Sequence, residues 1–147
     1  MERIVDGGDR DVRIERLRRP LAFRSPFGGE EFVLLLADGL GATEEERRAM
    51  AAELMRQGCR YAICSGRGCV AWEDDIDWAV VAAELRGEFP IDRVVMTTSH
   101  PGWAATEIVD WLFDFTSIED FEPRRFLVLI LGDAPDLETA VRAATGR

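Results

Sequence analysis

Two uninterrupted apolar runs, Phe32-Val33-Leu34-Leu35-Leu36-Ala37 and Phe126-Leu127-Val128-Leu129-Ile130-Leu131, constrain the fold more than any other feature of the chain. A strand with one wet face alternates apolar and polar residues. A run without alternation needs cover on both faces, as in a parallel sheet held between two layers of helices. Each run leads into a turn and then a helix. Asp38-Gly39-Leu40-Gly41 turns the chain after the first run, and Thr43 with Glu46 forms a capping box for a helix reaching Gln57 and stopped by Gly58. Gly132-Asp133 breaks the second run, and Pro135 sits where the first turn of a helix tolerates proline.

The same unit is legible twice more between them. Arg60 to Cys64 reads as a strand followed by a helix from Asp75 to Arg86, which Gly87 and Pro90 end. Arg93 to Thr97 reads as the next strand and Trp103 to Phe115 as its helix, with Ile108, Trp111, Leu112 and Phe115 near helical spacing. Four such units predict a three-layer α/β/α sandwich, Rossmann-like or flavodoxin-like, with a four-stranded, mostly parallel sheet and four helices. Residues 1–31, broken by Gly7-Gly8, Pro20, Pro26 and Gly28-Gly29, read as an N-terminal arm or edge strand, and residues 32–147 as a single domain.

Composition excludes several functions. All 18 basic residues are arginine and there is no lysine, which removes P-loop and Schiff-base chemistry. A net charge of −10 opposes contact with nucleic acid or anionic lipid. That charge has an address: residues 73–120 carry twelve acids against Arg86 and Arg93, and acids and arginines balance elsewhere. The acidic stretch also holds three of the four tryptophans and the one histidine. Its natural partner is a basic protein or another copy of the chain. No apolar stretch approaches the ~18 residues a membrane helix needs. The odd count of three cysteines suits reduced thiols, so a soluble cytoplasmic protein is expected.

Ligands of open parallel sheets sit beyond the carboxyl ends of the strands, where strand order reverses. That rule selects the turns at Asp38, at Ser65-Gly66-Arg67-Gly68, at Thr98-Ser99-His100 and at Gly132-Asp133. Such turns favour small and polar residues on conformational grounds alone. Cys64 ahead of Ser65, Gly66 and Arg67 is a candidate thiolate cradle, although the cysteine and arginine are three apart where a phosphatase loop has them six apart. Thr98 and His100 are a candidate base with a hydroxyl beside it. Glu73-Asp74-Asp75 and Asp77 read as acids opening a helix rather than as Mg²⁺ ligands, and no metal site is assigned. The dinucleotide fingerprint is incomplete at Gly39-Leu40-Gly41, so a dinucleotide site is weakly supported and the cofactor is left open, with nucleotide binding without turnover a third possibility. Trp72 is placed in the loop after Cys69, beside the acids, as a pocket cap or partner contact.

The segment Cys69 to Ala79, with Trp72 and Asp77 in a Trp-x-x-x-x-Asp pattern, and the Thr97-Thr98-Ser99-His100 sequence after it resemble a family of small bacterial proteins of unknown function. The resemblance pairs the loop of Trp72 and Asp77 with that of Thr97, Thr98 and His100.

Two functions follow. The first is a protein- or ligand-binding, regulatory module acting through the acidic, tryptophan-bearing face of residues 72–111, with Asp38, Ser65, Gly66, Arg67, Trp72 and Asp77 as ligand contacts. The alternative is an enzyme whose Cys64, Thr98 and His100 act on a small phosphorylated or acyl substrate.

Overall fold

The computed structural model describes residues 1–4, 8–88 and 93–146. Its elements in chain order are β1 (Glu2–Ile4), β2 (Asp11–Leu17), β3 (Phe32–Asp38), α1 (Glu44–Arg56), β4 (Cys59–Ser65), α2 (Cys69–Leu85), β5 (Met96–Ser99), α3 (Ala105–Asp114), β6 (Arg125–Leu131) and α4 (Pro135–Thr145). They form one mixed sheet of six strands in the order β1-β2-β6-β3-β4-β5. Only β1 runs antiparallel to its neighbour.

The expected four-stranded sheet is therefore enlarged by two strands from the N-terminal segment. β2 pairs with β6 along its whole length, Asp11 to Leu17 against Arg125 to Leu131. Its alternation is real but weak, because Val12 and Ile14 are buried and Arg13 and Glu15 occupy the other face, but exposed Arg16 takes the next position on the apolar side. A strand near a sheet edge needs no continuous apolar run, so the pattern that marks β3 and β6 is missing there.

The order explains the layers. From β3 the chain steps outward to β4 and β5, then α3 carries it back to β6 on the other side of β3. The strand order thus reverses between β3 and β6. Leu34, Leu36, Cys64 and Leu129 turn to a core built with Met50, Leu54, Trp72 and Ile76 of α1 and α2. Val33, Leu35, Ile63 and Val128 turn the other way, to Ile108, Leu112 and Val141 of α3 and α4.

α1 has the expected capping box: Thr43 accepts from the Glu46 amide, and Glu46 accepts from the Thr43 amide. α2 begins six residues earlier than its acids suggested, at Cys69. Gly66 and Gly68, both left-handed with φ 76° and 73°, turn the chain so tightly that the helix starts without a side-chain cap. β5 starts later than expected, at Met96. Before it, Arg93 pairs with Glu31 and the Val94 carbonyl accepts from Arg60. Pro90, expected to help end α2, lies outside the described residues. No helix among the described residues is long and apolar enough to cross a membrane.

Candidate functional site

The carboxyl ends of β3, β4, β5 and β6 share one edge of the sheet, and the predicted site residues lie along or just beyond it except Asp77, which is more than two turns into α2. They do not converge on one point. Asp38 is buried, and its carboxylate accepts from the backbone amides of Leu40, Gly41 and Ala42 at 2.9, 2.8 and 2.8 Å. The indole Nε1 of Trp72 donates to the same carboxylate at 3.1 Å. Four donors occupy it, so Asp38 organises the turn after β3. Trp72 is 1% exposed, inside the first turns of α2 and not in a loop. The early start of the helix turns it inward, which corrects its placement as a surface contact. Asp77 stands exposed on another side of the same helix.

The proposed catalytic residues are split by the sheet. Cys64 belongs to the core of α1 and α2. Thr98 lies opposite Ile63, which belongs to the core of α3 and α4. Neighbours in register point to the same face, so the Cys64 sulfur and the Thr98 hydroxyl point to opposite faces. Cys64 is fully buried, and desolvation pushes its thiol well above the ordinary range, with Cys59 and Glu73 adding to the effect. Burial likewise pushes the Cys59 thiol up to about 12. All three cysteines are free and buried. All three pack in the core of α1 and α2.

His100 and Thr98 do meet, with Nε2 and Oγ1 2.9 Å apart. The imidazole is buried against Trp103 and Trp111, with ring centroids 4.2 and 5.1 Å away, and the Trp111 indole donates to the Tyr61 hydroxyl. Desolvation lowers the His100 pKa from its ordinary value, and Glu73 opposes the shift. Burial among the rings thus favours the neutral imidazole. A base with a depressed folded pKa leaves stability intact above the unfolded value of about 6.5 and removes it as pH falls below that. Urea titrations of the wild type and His100→Gln at pH 7.5 and pH 5.5 should accordingly show a smaller acid loss in the variant. An equal loss in both would assign the acid sensitivity to carboxylates alone.

A crevice of about 400 Å³ opens at this edge on the side of α3 and α4. Its floor is Ala37, Ser65 and Gly66, and its walls are Trp103 to Ala105 with Ile108 on one side and Ala134 to Leu137 on the other. Small residues make the space: Ala37 and Ser65 are register partners at the ends of β3 and β4, and both helices begin with alanine or proline. The Ser65 hydroxyl donates to the Leu36 carbonyl at 3.2 Å, while Gly66 and Arg67 are exposed at the mouth. Alanine occupies both N-cap positions, Ala104 and Ala134, so neither N-cap side chain bonds a first-turn amide; at α3 the Glu107 carboxylate reaches back to accept from the Ala104 amide at 3.2 Å. Their first-turn amides, the positive ends of two helix dipoles, flank the crevice. Glu107 and Asp136 in those first turns offset part of that field.

Of the residues expected to contact a ligand, Ser65 and Gly66 line this crevice. Trp103, Ala105 and Pro135 line it without having been anticipated. The readable signal was alanine at two helix starts where Ser, Thr, Asp or Asn is the rule, in contrast to Thr43. Among the described residues no group of His, Cys, Asp and Glu can hold a metal ion.

No curated protein and no solved structure matches the chain. A family model described as a domain of unknown function, DUF7684, matches residues 12–146, from within β2 to the end of α4. The matched span includes the β2–β6 pairing and both walls of the crevice, and the chain belongs to that family.

Proposed function

We propose that the protein is a binding module that takes a small ligand in the crevice between α3 and α4. The observation that carries this reading is the position of the cavity, at the carboxyl edge beside the reversal of strand order and between two helix starts whose N-cap residue is alanine and leaves the first-turn amides uncapped. The fitting ligand presents a hydrogen-bond acceptor, such as a carboxylate or phosphate, to the first-turn amides and lays an apolar body against Trp103, Ile108 and Leu137. Burial of Cys64 and its separation from Thr98 favour binding over thiol chemistry.

A panel of mononucleotides, sugar phosphates and short-chain carboxylates, followed by thermal shift and Trp103 fluorescence, tests this. A ligand tenfold above its dissociation constant adds about 1.4 kcal/mol to stability. Ala105→Phe, or Ala134→Phe if the first variant folds poorly, should abolish the shift by filling the cavity. A shift retained in a folded, filled variant would place the ligand elsewhere, and a panel with no shift at millimolar concentration would count against the reading. The charge concentrated in residues 73–120, with Trp103 40% exposed within it, favours a second reading, contact with a basic protein.

A further inference from the structure

The strand β5 closes one end of the sheet, and no strand among the described residues pairs with its outer side. The His100 amide donates to the Cys64 carbonyl. Alternation along a parallel strand then turns the amides and carbonyls of Thr97 and Ser99 away from β4, toward the open edge. Met96-Thr97-Thr98-Ser99 contains no charge and no proline, the usual guards of an exposed edge. The opposite edge is guarded by charge: β1 carries Glu2 and Arg3, and Glu2 is held by Arg142.

Both helices beside β5 present acids to that edge. On α2, Asp75, Ala79, Ala82 and Arg86 line a groove with α1, and Asp75 pairs with Arg47. At 100° per residue the flank away from α1 carries Glu73, Asp77 and Glu84 in one stripe. The influence of Glu73 on His100, just past β5, agrees with this placement. On α3, Ala105 and Thr106 face α4, so the flank toward β5 carries Glu107, Trp111 and Asp114. Trp111 packs on Phe115 at 5.2 Å, and Phe115 is 59% exposed. Met96, on the same face as Tyr61, is 39% exposed.

We propose that the β5 edge docks an extended, basic segment of another protein, which adds a strand to the sheet. The inference rests on the second reading above and supplies its geometry. An added strand lies about 4.8 Å beyond β5, with alternate side chains on the two faces. Arginines on one face reach Glu73, Asp77 and Glu84, while apolar residues on the other meet Met96 and the ring of Phe115. A second copy of this chain fits poorly, because two acidic flanks would meet across the shared edge.

The probe is a short acetylated, amidated peptide alternating Arg and Val, measured by fluorescence anisotropy against the full chain. It should bind with an affinity that falls as salt rises. N-methylation of one alternate set of its backbone amides should weaken binding about tenfold, and methylation of the other set should not, because only one set faces β5. The combined variant Glu73→Gln, Asp77→Asn and Glu84→Gln, with an unchanged Tm, should lose most of the salt dependence. Equal binding by both methylated peptides would overturn edge pairing while leaving a basic partner in place. Absence of binding by the Arg–Val peptide at low salt would overturn both. A dimer of the chain that the peptide fails to dissociate would give the edge to a second copy and overturn the proposal.

Discussion

Trp72→Ala should lower the unfolding free energy by about 3–5 kcal/mol, the range for removing a large aromatic side chain from a packed core. Trp72 is the largest fully buried side chain of the described residues and packs in the core beneath α1 and α2. Its indole also donates to Asp38, so truncation leaves a cavity and frees one of the four contacts that hold the turn after β3. Trp72→Phe keeps most of the volume and removes the hydrogen bond, for a loss of about 1–2 kcal/mol. Urea denaturation of the three proteins measures both steps. A loss below ~1 kcal/mol in the alanine variant would contradict a core role, since that is the range of an ordinary surface substitution.

Gly39→Ala should cost about 2–4 kcal/mol, because no rotamer change relieves its clash. A Cβ at Gly39 would lie 2.6 Å from the Asp133 carbonyl and 2.9 Å from that of Leu131. Both contacts are backbone, at the point where the ends of β3 and β6 close the reversal of strand order. The Gly39 amide also donates to the Leu131 carbonyl at 2.7 Å, so moving the strand ends apart sacrifices that bond. Gly41 is the control. Its added Cβ would meet nothing, but its φ of 69° is left-handed, and alanine there should cost only about 1–2 kcal/mol. Equal losses at the two positions would show that conformational strain, and not close approach, governs this edge.

The crevice was legible where it depends on one turn. Ser65 and Gly66 were selected because they lie beyond the carboxyl end of a strand in an open parallel sheet, and they line the crevice floor. Cys64 was misleading for a physical reason. Its position at the end of β4 is correct, but facing is set by register, and register puts its sulfur in the core while Thr98 turns to the other layer. Trp72 was misread because its acids suggested a helix beginning at Asp75. Two left-handed glycines started the helix at Cys69 and rotated the ring inward.

The sequence by itself determined the layered α/β class, the alternation of strand and helix, and the capped start of α1, since apolar runs, capping boxes and glycine stops act over a few residues. Tertiary structure alone decided the sixfold sheet, the order β1-β2-β6-β3-β4-β5 and the open edge at β5. It also decided which residues face each other across the crevice. Those features depend on which distant segments pair, and β2 joins β6 across more than a hundred residues through alternating contacts too weak to mark it locally.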